Sequence, residues 1–173
     1  GTPSSPKDRL SLAFSDQGAW FAYGFSNEGN KILGFSGPFL MAQGHGEWSS
    51  KVLSQLELTN NETKEKFDFN DFSISQTSYN SHLNQVKENK KLKLEQNLFY
   101  NSPHTAIIST QITNFSNEII NLQPSWKGAT FSIGLIITKE GNAITLTTDR
   151  NTAKGIIQTF EDDINNITTT DSS

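Results

Sequence analysis

The sequence predicts an all-β fold, an antiparallel β-sandwich that is incomplete at its C-terminal end, and three observations predict it. Apolar residues alternate with polar ones at period two, and no stretch holds them at i, i+3, i+4 and i+7 for three helical turns. Asn, Ser and Thr are abundant while Ala is sparse, a composition that favours strands and turns over helices. Clusters of Gly, Asn, Asp and Ser then divide the chain at intervals of about ten residues, the spacing of a sandwich.

The elements follow in order. Residues 1–9, opening Gly-Thr-Pro-Ser-Ser-Pro rather than with Met, read as a flexible leader left by processing or cloning, with any export signal already removed. The sandwich is expected over 10–160. Its first strand, 18–25, places Trp20, Ala22 and Gly24 on one side and Phe21, Tyr23 and Phe25 on the other, so both faces carry apolar bulk. Further strands are expected at 32–42, 52–58 and 72–79. Segment 91–100 has the cleanest alternation, with Leu92, Leu94, Leu98 and Tyr100 on one face and Lys93, Glu95 and Asn97 on the other. Asn101-Ser102-Pro103-His104 supplies turn chemistry, and the hairpin returns along 105–113 with Ala106, Ile108, Thr110 and Ile112 facing inward. Residues 114–117 turn again into 118–126, and 131–138 and 143–148 complete the strands. Asn27-Glu28-Gly29-Asn30 and Lys139-Glu140-Gly141-Asn142 are the best hairpin turns, because glycine accepts the positive φ they require. Residues 161–173 form a polar tail with few apolar residues, which suggests truncation within a larger domain whose missing part covers an edge or face.

Bulk properties exclude several classes. At 173 residues the chain is long enough to bury one core, and with no cysteine it has neither disulfides nor thiolate chemistry. A net charge of −4, with 14 basic and 18 acidic residues interspersed, gives no basic face for nucleic acid. The densest basic run, Lys87, Lys90, Lys91 and Lys93, reads as a solvated strand end that discourages edge pairing. No segment approaches the roughly 18 apolar residues of a membrane helix.

Chemical motifs are sparse. His45, His82 and His104 sit in separate turns without ligand spacing, so neither a metal nor any other cofactor is expected. Gly34-Phe35-Ser36-Gly37 misses the spacing of a nucleophile elbow, and the glycines between 34 and 46 precede no helix that would receive phosphate. The acids, among them Asp68, Asp71 and Glu161 to Asp163, fall on polar faces or turns, where nothing raises a carboxyl pKa toward that of a general acid. Aromatics remain: Trp20, Trp48 and Trp126 can serve as core or as stacking platforms for sugar rings.

The stretch ILGFSGPFLMAQGHGEW, 32–48, concentrates glycine and aromatic residues. Glycines 34, 37, 44 and 46 let a long strand bend as it passes between sheets, and Pro38 marks an edge or a break in the ladder. Together with DQGAWFAYGF (16–25), FDFNDFSISQTSYNSHLNQV (67–86) and LKLEQNLFYNSPHTAIISTQITN (92–114), the segment GFSGPFLMA (34–42) gives an order of features that resembles the N-terminal domain of bacterial glycoside hydrolase family 63 enzymes, the α-glucosidase and mannosyl-oligosaccharide glucosidase group. The resemblance spans about Leu10 to Lys127.

It implies an N-terminal super-sandwich that packs on a catalytic (α/α)6 barrel and shapes its substrate entrance. It also implies inverting hydrolysis of an oligosaccharide, with the acid and base both in a barrel this chain does not contain. No catalytic residue therefore transfers to it, and the chain alone is expected to be inactive. The expected partners are the barrel and, through the parent enzyme, an oligosaccharide; nucleic acid and membrane are not. The isolated fragment is expected to self-associate through apolar surface meant for the barrel. A periplasmic or secreted bacterial location goes with that reading. The carbohydrate-contact candidates are Trp48, His45 and Trp20, the first two because a Gly-rich loop carries them toward the barrel. The alternative is a free-standing, lectin-like carbohydrate-binding module in which Trp20, Trp48 or Trp126 forms the platform; a structural or adhesive surface domain is a third reading.

Overall fold

The computed structural model describes residues 1–28, 32–41, 45–132, 135–147 and 155–169. Its described residues are all-β, with twelve strands and no helix. They form two compact units, Gly1–Phe131 and Ser132–Ser173, so a boundary falls inside the span 10–160. Among the described residues no helix is long and apolar enough to cross a membrane.

The first unit is an antiparallel sandwich. One layer is a four-stranded sheet of β5 (Ser73–Ser78), β6 (His82–Glu88), β7 (Leu92–Ser102) and β8 (Thr105–Asn114), in that order. Opposite it lie two smaller sheets. One has the order β1 (Phe21–Phe25), β2 (Phe35–Leu40), β3 (Glu47–Trp48), and the other pairs β4 (Gln55–Asn60) with β9 (Leu122–Lys127).

The alternation in β7 sets the core. Leu92 and Leu94 pack with Leu33, Leu56, Leu58, Phe69 and Phe72, while Leu98 and Tyr100 pack with Ala19, Phe35 and Leu83, flanked by Phe21, Tyr23 and Phe25. One inner face is thus covered at one end by β4–β9 and at the other by β1–β2, with Lys93, Glu95 and Asn97 left outside. The β7–β8 hairpin forms as its turn residues predict, with Ser102 opposite Thr105. Ala106 and Ile108 stand inward, opposite Tyr100 and Leu98.

The glycine-rich stretch crosses between the small sheets. The Leu33 carbonyl accepts from Leu56 N–H at 2.7 Å, next to β4, whereas Phe35 already pairs with Phe25 of β1. Between them Gly34 passes so close to the 52–55 backbone that an added Cβ would lie 2.6 Å from the Ser54 carbonyl oxygen and 3.0 Å from Val52 Cγ1. Gly34→Ala is therefore expected to lower stability by about 1–3 kcal/mol, read as a shift in the urea midpoint at unchanged m value. A midpoint equal to that of the parent chain would show that the crossing has slack. Gly44 and Ala42 lie outside the described residues.

Three strands escape the sequence reading: β3, β6 and β12. For β6 the reason is visible in its burial. Its inward positions are Leu83, Gln85 and Lys87, so polar side chains occupy the face where apolar ones would mark a strand. They hold the crossing segment: Lys87 Nζ donates to the Ile32 carbonyl at 2.7 Å, and Gln85 Nε2 donates to Gly34 O at 3.1 Å and Gln96 Oε1 at 2.7 Å. The expectation that Lys87 belongs to a solvated strand end is corrected, since it is buried on a central strand. Burial disfavours its charge and brings its pKa down to about 8.

Residues 2–9 lie against the sandwich. Thr2 N–H donates to Asn27 Oδ1 at 3.0 Å, Pro3 is buried, and the carbonyls of Pro6 and Asp8 accept from Trp48 N–H and Nε1–H at 2.9 and 3.0 Å. Pro124 interrupts β9 at little cost. The Leu58 carbonyl accepts from Phe67 N–H, on the side away from β9, so Leu58 and Pro124 form a pair that needs no ladder bond from proline.

The second unit is the three-stranded sheet β10 (Ile136–Glu140), β11 (Ala143–Thr147) and β12 (Gly155–Thr159). The predicted turn at 139–142 joins the first two, with Gly141 at φ 58°. Ile137, Leu146 and Ile156 form a row on one face, and the Phe160 carbonyl accepts from Asn142 Nδ2 at 2.7 Å. The turn expected at 27–30 and the ends of the strands expected at 131–138 and 143–148 reach outside the described residues.

Candidate sugar-contact rim

The three carbohydrate-contact candidates have different fates. Trp48 is 2 % exposed. Its indole packs edge-on against Phe39 at 5.2 Å between centroids, and its Nε1–H is taken up by Asp8 O. The ring is part of the interior and offers no face to a ligand.

Trp20 is 60 % exposed. It precedes β1, where the Phe21–Leu40 pair closes, and is tied on both sides: its N–H donates to Pro103 O at 3.2 Å, and its carbonyl accepts from Met41 N–H at 2.8 Å. The indole therefore projects from a fixed backbone at one end of the β1–β2–β3 sheet, beside the tip of the β7–β8 hairpin. Leu40 pairs with Glu47 at this end, and His45, two residues before Glu47, is exposed. Arg9 Nη2 donates to Gly46 O at 3.0 Å, with its guanidinium 5.8 Å from the centre of the Phe39 ring. The structure thus brings Trp20, half-exposed Met41 and His45 to one rim and withdraws Trp48 beneath it. Sequence reasoning missed Met41, whose signal is its place opposite Trp20 just past the end of β2.

Trp126 faces the core side of β9, opposite Leu56, and is about half exposed because β9 is the outer strand of its pair. His104 lies at the hairpin tip, and His82 stacks on Tyr79. Among the described residues no group of three or more His, Cys, Asp or Glu side chains is placed to hold a metal ion.

A shallow cleft of about 400 Å³ is lined by Glu65, Asp68 and Asp71 above Phe67 and Phe72. Both aspartates are already engaged: Asp68 accepts from Asn70 N–H and Nδ2, and Asp71 accepts from Asn89 Nδ2. Elsewhere Glu57, bonded to Lys127 and Lys66, and Glu95, bonded to Lys93, are held below the usual carboxylate range. Asp8 is held low in the same sense by the Ser4 and Leu10 N–H groups and the Ser4 hydroxyl. These shifts run opposite to what a glycosidase general acid needs.

The family model described as glucosidase YgjK, N-terminal, matches residues 6–169, nearly the whole chain and both compact units. No curated protein matches it.

Proposed function

We propose, from the premise that this chain belongs to the glucosidase YgjK N-terminal family, that it is the non-catalytic sandwich of a glycoside hydrolase of the family 63 type. In this reading it packs against an (α/α)6 catalytic barrel and shapes the entrance through which an oligosaccharide reaches it. The match over residues 6–169 carries the proposal. Two physical features support it. Among the described residues the perturbed carboxyls, Asp8, Glu57 and Glu95, are held below the usual carboxylate range, the opposite of what a general acid needs. Trp20 stands exposed on a rim fixed by backbone hydrogen bonds, as a contact for sugar rings arriving at a neighbouring domain should. A periplasmic or secreted bacterial enzyme fits the reading.

The test uses the full-length protein. Trp20→Ala combined with His45→Ala is expected to raise KM for a gluco-oligosaccharide by about tenfold with kcat nearly constant, as loss of a stacking contact made equally in ground and transition states would do. Unchanged KM in a folded variant would remove the rim from the substrate path.

A further inference from the structure

The outward face of the four-stranded sheet carries an array separate from the rim. Pairing across β6, β7 and β8 places His82 opposite Phe99, and Phe99 opposite Ile107. Tyr79, at the β5–β6 turn, stacks on His82 with ring centroids 4.5 Å apart and 17° between the planes. Outward faces of antiparallel sheets are ordinarily polar, yet Phe99 and Ile107 are 37 % and 39 % exposed here and Tyr79 is half exposed. Two positions along each strand, the next row is Thr77, Asn84, Asn97 and Ser109. With strands about 4.8 Å apart and alternate residues about 7 Å apart, an apolar strip lies alongside a row of amides and hydroxyls, one sugar-sized step away.

The polar row is neutral and held in place. Asn84 Nδ2 donates to Asn97 Oδ1 at 2.8 Å and to Glu95 Oε1 at 3.1 Å. The Glu95 carboxylate is met by Lys93 Nζ at 2.7 Å. An anionic or cationic ligand therefore finds no unmatched charge beside the strip. A protein partner would need about 800 Å² of contact, far more than a strip one side chain wide supplies. The chemistry that fits has apolar C–H faces and uncharged hydroxyls on one molecule. We propose that this face binds a neutral oligosaccharide laid across the strands, its rings on Tyr79, His82 and Phe99 and its hydroxyls on Asn84, Asn97 and Ser109. This goes beyond the proposed role at the entrance of a catalytic domain and does not depend on it.

The experiment titrates the 173-residue chain with maltoheptaose and, separately, with cellohexaose, and follows amide and aromatic resonances by NMR. At millimolar concentration, one glucan is expected to shift signals of residues 79–84, 97–99 and 107–109. Phe99→Ala is expected to weaken binding about tenfold, the loss of one ring contact, while Ile119→Ala, at an exposed position in the connection from β8 to β9, leaves it unchanged. Should Phe99→Ala fail to fold, the Asn84→Ala/Asn97→Ala double variant, which removes only surface amides, carries the same expectation. The proposal is overturned if neither glucan shifts these signals at tens of millimolar, if the shifts gather at Trp20 and Met41, or if a folded variant binds as tightly as the parent chain. Protection of this face by another polypeptide, with no glucan response, would overturn it in favour of a protein interface.

Discussion

Trp48→Ala should lower the stability of the first unit by about 3–5 kcal/mol, enough to bring the midpoint of thermal unfolding down by about 10 °C or more. The indole is buried, fills the space beside Phe39, and through its Nε1–H supplies one of the hydrogen bonds that hold residues 6–8 to the sandwich, the Trp48 backbone N–H supplying another. Truncation removes the transfer free energy of the ring, opens a cavity, and leaves Asp8 O without its indole donor. Trp48→Phe separates these contributions: it keeps much of the volume, loses the donor, and should cost only about 1–2 kcal/mol more than a neutral change. Trp20→Ala, at an exposed position, should stay within about 0.5 kcal/mol of the parent chain. Calorimetry of the three variants checks the ordering, and equal losses at Trp20 and Trp48 would contradict the placement of the two rings.

Stability should also rise with pH from about 8 to 10, through Lys87. Burial brings its pKa down from 10.5 to about 8. Within this window the unfolded chain holds the proton that the folded chain has released, and the state that binds more protons is favoured by acid. Charging Lys87 thus opposes folding below pH 8, and the penalty is relieved as pH climbs toward 10.5. The full effect is on the order of 3 kcal/mol. Tyr23 and Tyr100, whose pKa values burial raises, turn the curve down again above about pH 10, because only the unfolded chain then loses their protons. Lys87→Met should abolish the rise between pH 8 and 10 while leaving the alkaline fall. Urea unfolding across that range reads both, and a rise that survives in Lys87→Met assigns it to another group.

What the sequence reveals and what it hides follow from the same alternation rule. In β7 and β8 Leu92, Leu94, Leu98, Tyr100, Ala106 and Ile108 face inward, so apolar character and burial coincide there, with Gln96 as a buried polar exception in β7, and strands, faces and hairpin can be read directly. In β6 the inward residues include Gln85 and Lys87, whose partners are the carbonyls of Ile32 and Gly34 some fifty residues away. Local pattern carries no trace of a partner that distant, and a buried lysine inside a lysine-rich run looks like surface. The same limit applies to the tryptophans. Trp20 sits in a convincing strand pattern but precedes the first ladder pair and stays outside. Trp48 sits in a glycine-rich stretch that reads as a loop, yet two residues of strand and the Pro6–Asp8 carbonyls take it inside. Of the rim, Trp20 and His45 are legible as residue types; what brings them together is the crossing of 32–41 between two sheets, which only the fold supplies.

Hydrolysis assayed on the chain alone, beside the full-length protein, tests the non-catalytic reading most directly. Against p-nitrophenyl α-glucoside and a gluco-oligosaccharide, the 173-residue chain should release no glucose above the buffer rate, and the full-length protein should turn over at least the oligosaccharide. Turnover by the chain alone, removed by neutralising one of its own carboxylates, would contradict the account.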